Sequence, residues 1–208
     1  MNAERPPHRL SVLDPRPYRW AIGVFGLGLV IAFSVYQLTS HRVATPGVPP
    51  GGRLRFFAAP LADSTLIGDA NLAPPCTPAR HDPRALNVCL LVRRGPLVLA
   101  FFSISSRGCE QQVDALQSVA TRYRGSRVQF AAVAVRAGRA PVAALARRHR
   151  WAIPVAYDRD GAVGSLYDVE ICPLVELART GGLVAERLIG NHWRSPAALA
   201  ERVGALLR

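Results

Sequence analysis

The chain has 208 residues, half of them apolar, and its 26 basic and 14 acidic residues give a net charge of +12. Every basic residue is arginine, yet there is no nucleic-acid reader motif and no interleaving of basic residues with stacking aromatics. The composition therefore argues against nucleic-acid binding and for a solvated basic surface, on a chain long enough for one globular domain and a further segment.

That further segment comes first. In the tail, residues 1–19, Arg5, Arg9, Arg16 and Arg19 outnumber Glu4 and Asp14. Residues 20–40 are uncharged and mostly apolar. As a helix rising ~1.5 Å per residue they would just cross a ~30 Å hydrocarbon core, with Trp20 and Tyr36 as interfacial anchors. A cleaved signal peptide is the alternative, but its apolar core normally runs ~7–15 residues and ends at a small-residue site that does not follow here. The expectation is a single-pass anchor in the cell membrane with the C-terminal domain extracytoplasmic. Tail arginines tilt the orientation that way slightly, and four cysteines suit an oxidising compartment. Residues 41–53, rich in Pro and Gly, predict an extended spacer that holds the domain, residues 54–208, off the membrane.

Within the domain, Pro74 to Pro78 reads as irregular, and Ala85 to Val92 as a short strand or a helical turn. From Pro96 onward β-rich runs alternate with helical periodicity, as in an α/β sheet covered by helices. Leu97 to Phe102 predicts a buried strand. Val113, Leu116, Val119 or Ala120, and Tyr123 give Cys109 to Tyr123 one apolar helical face. Arg127 to Val135 is the next strand. Pro141 to His149 is a helix with Val142, Leu145 and Ala146 inward and Arg147, Arg148 and Arg150 complementing its C-terminal dipole. Ile153 to Tyr157 is a short strand, Ala162 to Tyr167 a short helix, and Leu174 to Ala178 with Leu183 to Ile189 a β-hairpin around Gly181 and Gly182. Ser195 and Pro196 launch a last helix with Leu199, Val203, Leu206 and Leu207 on its buried side.

Cys109 stands where the first strand of this pattern gives way to a helix, and a thiol at a helix N-terminus is favoured as thiolate. The order of elements, Cys109 at that junction, the run Ile153 to Gly161, Leu166 to Val169, and Cys172-Pro173 just before the last hairpin together resemble the thioredoxin fold. The likeness is to its redoxin branch, the membrane-tethered thiol-disulfide proteins and their relatives among the alkyl hydroperoxide reductases and thiol-specific antioxidants. It covers about residues 86–208.

In tethered members the junction reads Trp-Cys-x-x-Cys. Here Ser106 takes the nucleophile's place and Cys109 the resolving position, so two-cysteine exchange inside the motif is excluded. Peroxiredoxins carry Thr or Ser three residues before the reactive cysteine, which Ser106 matches, and a hydroxyl there would hydrogen-bond the thiolate or peroxide. Against that likeness, Phe102 replaces their proline, and Cys172-Pro173 replaces their arginine.

The resemblance also implies that Pro173 is cis and that Cys172 faces Cys109, as a disulfide or a dithiol. It then leaves Cys76 with Cys89 as a structural disulfide worth ~3 kcal/mol. Cys76, His81, Asp82 and Cys89 could instead suggest zinc, but paired ligand spacings are missing, and no metal or cofactor is expected. His149 at a helix end, His192 in a loop, and His8 and His41 flanking the apolar run read as structural.

Two functions follow. The first is a membrane-anchored extracytoplasmic redoxin in which Cys109, aided by Ser106, Cys172 and Pro173, exchanges with a thiol, disulfide or peroxide of an undetermined partner or electron donor. The second is a catalytically degenerate binding or scaffold domain whose cysteine pairs stay oxidised.

Overall fold

A computed structural model describes residues 16–40 and 46–208, which fall into two compact units, Met1–Ala44 and Thr45–Arg208. The first contains helix α1, Arg16–Ser40, whose described side chains, Trp20 and those of residues 22–35, are all exposed. Among the described residues no helix is long and apolar enough to cross a membrane. Residues 1–15 with His8, the Tyr36 side chain, and residues 41–45 with His41 lie outside the described set.

The second unit is built on a five-stranded mixed sheet in the order β5-β4-β3-β6-β7. Central β3, Leu97–Phe102, is flanked by β4, Gln129–Val135, in parallel and β6, Leu174–Ala178, antiparallel. At the edges, β5, Val155–Asp158, runs parallel to β4, and β7, Val184–Ile189, closes a hairpin with β6. All six residues of β3 are buried, and their side chains alternate between two cores. Val98, Ala100 and Phe102 pack with Val113 and Leu116 of α3, Arg107–Arg122, with Val142 of α4, Arg139–His149, and with Leu199 of α6, Pro196–Leu206. Leu97, Leu99 and Phe101 pack on the opposite face with Phe57, Val88 and Tyr167.

The C-terminal half matches the sequence pattern, with ends shifted by a few residues. α3 begins at Arg107 with Ser106 as N-cap, so Cys109 lies inside its first turn. The Ser195 hydroxyl caps α6 by accepting the Ala198 N–H, and Pro196 follows as expected. Leu207, expected inward, follows the last turn and is exposed. Ala146 is half-buried. The segment Ala85 to Val92 is strand and helix in succession: β2, Ala85–Asn87, pairs antiparallel with β1, Ala58–Pro60, and leads into α2, Val88–Arg94.

The spacer expectation fails for residues 46–53. Pro46 and Val48 are buried, Gly47 N–H donates to the Tyr167 carbonyl at 2.7 Å, and Val48 N–H donates to Glu176 Oε1 at 2.6 Å. Gly51 N–H donates to Val184 O at 2.9 Å, Val184 N–H donates to Gly52 O at 2.8 Å, and Arg53 bridges to Leu183. Proline and glycine removed the local pattern, but side-chain and sheet-edge partners far along the chain satisfy the backbone instead.

Candidate functional site

The site forms where β3 ends. Beyond Phe102, residues 103–106 make a short loop in which the Ser103 and Ser105 hydroxyls share a hydrogen bond at 2.8 Å. The Ser106 carbonyl accepts the N–H groups of Cys109 at 2.9 Å and Glu110 at 3.1 Å, and this turns the chain into α3. The Ser106 side chain makes no capping bond.

The other half arrives from β5. Asp158 at its end is fully buried, and its carboxylate accepts the N–H groups of Val163 at 3.1 Å and Gly164 at 2.8 Å, which fixes the start of α5, Ala162–Leu166. Burial pushes the Asp158 pKa up, and those two N–H donors partly oppose it. The chain then returns through Ile171 and a cis Cys172-Pro173 bond to β6, where Leu174 pairs with Phe101.

This return brings Cys172 to Cys109. The two form a disulfide with Cα atoms 5.7 Å apart, spanning 63 residues of sequence. Cys109 is 2% exposed, whereas Cys172 is half-buried with its sulfur 3.8 Å from the Phe101 carbonyl. Beside Cys172 lies a cleft of about 370 Å³ walled by Phe102, Ile104, Val135, Val169 and Ile171, with Arg136 and Glu170 also among its lining residues. Cys109 does not line it.

Cys76 and Cys89 form the second disulfide, with Cα atoms 5.5 Å apart. Their sulfurs are therefore bonded to each other rather than offered to a metal, and His81 Nδ1 meets the Pro78 carbonyl. Among the described residues no group of three or more His, Cys, Asp or Glu is placed to hold a metal ion. His149 ends α4 but is tied to α3, with Nδ1 2.8 Å from Asp114 Oδ1 and Nε2 3.4 Å from Glu110 Oε2. Trp151 Nε1 donates to the same Asp114 oxygen at 2.7 Å. His192 lies in a short 3-10 turn, Asn191–Arg194, after β7.

Two site neighbours were not anticipated. Gln112, one turn beyond Cys109 on α3, is fully buried with neither amide atom hydrogen-bonded. A polar residue within an apolar helical face was the visible signal for it. Arg194 lays its guanidinium over Gly108, where a Cβ would come within 2.6 Å of Cζ. Nothing local in the sequence points to that contact.

The sequence profile of the AhpC/TSA family matches residues 80–187. No curated protein matches the chain. Among solved structures, a secreted Mycobacterium tuberculosis disulfide oxidoreductase homologous to Escherichia coli DsbE aligns at TM-score 0.51 and 21% identity, over 58% of this chain and 88% of its own. The peroxidoxin BcpB of Mycobacterium tuberculosis aligns at 0.58 and 17%, over 77% and 97%. The thioredoxin domain of a Bacteroides vulgatus thiol-disulfide oxidoreductase aligns at 0.58 and 9%, over 77% and 99%. At these identities the likeness is one of fold, and the fold is thioredoxin-like.

Proposed function

Because the chain belongs to the AhpC/TSA family, we propose that it is a membrane-anchored, extracytoplasmic thioredoxin-like protein that exchanges disulfides through the Cys109–Cys172 pair. One observation carries this reading: two cysteines 63 residues apart are bonded at the junction of β3 and α3, beside a cleft. With Ser106 at the position of the missing cysteine, this pair supplies the two sulfurs that exchange requires. Cys109 and Cys172 are then the redox groups, and Pro173 and Ser106 shape the loops that hold them.

Anchoring is supported by the sequence. The run from Trp20 to Ser40 carries no charge and is mostly apolar, and 21 residues rising ~1.5 Å each as a helix would span a ~30 Å core. Retention in the membrane pellet after carbonate washing, with the domain open to protease from outside, tests both placement and orientation. Recovery in the wash excludes the anchor.

The reduction potential of the Cys109–Cys172 bond tests the chemistry. A cycling pair lies well above about −300 mV, and a permanently structural one below it. The burial of Cys109 favours a second reading, a scaffold domain with both disulfides fixed, and that same measurement decides between them. Peroxide reduction has less support, because the cleft does not reach Cys109 and Ser106 makes no capping bond.

A further inference from the structure

The two sulfurs of the site are not equivalent. Cys109 is 2% exposed beneath the first turn of α3, whereas Cys172 is half-buried and lines the cleft with Ile171, itself 49% exposed. A thiolate breaks a disulfide by approaching one sulfur along the S–S axis, so access decides which sulfur is attacked. From the cleft, only Cys172 can be reached.

The leaving side differs as well. Cys109 is the third residue of a sixteen-residue helix, where the positive end of the dipole favours a thiolate. The Arg194 guanidinium lies over neighbouring Gly108, and its Nε is buried without a hydrogen-bond partner. Gln112, one turn along, has a buried amide N–H₂ with no acceptor. Residues three apart on a helix are surface neighbours, so the Gln112 side chain leaves α3 on the same side as that of Cys109, one turn on. Arg194 is half-buried, with Nη2 donating to Asn191 Oδ1 and Nε left unpaired; that N–H and the buried unpaired amide of Gln112 both call for an acceptor, and a thiolate on Cys109 is one.

Resting on the thiol-exchange reading, we propose that the partner's thiolate attacks Cys172 and that Cys109 is the leaving thiolate. Cys109 then keeps the resolving role of its position, and the attacked sulfur moves from position 106 to Cys172. In the first step the partner's sulfur bonds to Cys172 Sγ, the Cys109–Cys172 bond breaks, and its electron pair stays on Cys109. In the second step another thiolate of the partner displaces Cys172 and closes the partner's own disulfide. Two electrons pass to the protein, and the protons shed by the partner's thiols go to Cys172 and solvent.

The test uses the full chain in detergent with two measurements. Wild-type protein is equilibrated in a glutathione redox buffer, and the state of the pair is read by alkylation and peptide mass. Cys109→Ser and Cys172→Ser variants are then reduced at the remaining site cysteine and reacted with 5,5′-dithiobis(2-nitrobenzoate). The expected result is a reducible wild-type pair, with Cys172 in the first variant reacting at least tenfold faster than Cys109 in the second. A reducible pair with equal or reversed rates overturns the assignment of roles and leaves the exchange reading standing. A pair that no glutathione ratio reduces overturns both.

Discussion

Arg194 occupies the space that a side chain on Gly108 would need, so α3 carries a fixed cation at its N-terminal turn. A helix N-terminus repels positive charge; Glu110 in the same turn faces His149, and a thiolate on Cys109 would place a further anion there. Arg194→Gln is therefore expected to slow reduction of the Cys109–Cys172 bond by about fivefold to tenfold, the worth of ~1 kcal/mol in a partly buried site. Arg194→Lys should keep most of the rate. In a Cys172→Ser background, the thiolate absorbance of Cys109 should titrate at higher pH once Arg194 is replaced by Gln. A merely structural role for Arg194 would leave that titration unmoved.

Glu176 is fully buried on β6, and burial pushes its pKa up to about 7, against the opposing pull of the Val48 N–H and the Arg187 guanidinium. Between the ordinary value of 4.5 and about 7, the native chain holds a proton that the unfolded chain has released. Native stability then falls as pH rises through that window. Glu176→Gln keeps an oxygen for Val48 and removes the titration. Its stability relative to wild type should rise between pH 4.5 and 8 by on the order of 3 kcal/mol in denaturant titrations. A difference that stays constant with pH would refute this role.

Asp158 joins β5 to α5 through two buried hydrogen bonds. Asp158→Ala leaves the Val163 and Gly164 N–H groups without acceptors and should cost about 2–4 kcal/mol. The same change loosens the path to Cys172, so amide exchange should accelerate from residue 162 to 171 before it does in β3. Uniform acceleration across the sheet would instead mean a global loss of stability alone.

Cys76 and Cys89 close a short loop next to β2, on a part of the domain that contributes no group to the cleft. Replacing both by serine should lower unfolding free energy by about 3 kcal/mol and leave the reduction rate of Cys109–Cys172 within twofold. A large change in that rate would show the two bonds to be coupled.

The α/β pattern after Pro96 was legible because β3 is buried on both faces and α3 and α6 on one, so burial and periodicity coincide. The joining of Cys109 to Cys172 came from the resemblance to a fold, since no spacing rule links residues 63 apart. The docking of residues 46–53 was hidden because their partners, Glu176, Tyr167 and Val184, lie over a hundred positions away. Arg194 was hidden likewise by distance along the chain, reaching Gly108 of α3 from beyond the last hairpin.

A bond inside a Cys-x-x-Cys turn barely restrains an unfolded polypeptide, whereas one that ties residue 109 to residue 172 removes about 4 kcal/mol of chain freedom from the denatured ensemble. Accepting electrons here would therefore also make the fold easier to lose. By thermodynamic reciprocity, anything that rigidifies the folded state of the oxidised form alone makes the sulfurs harder to reduce.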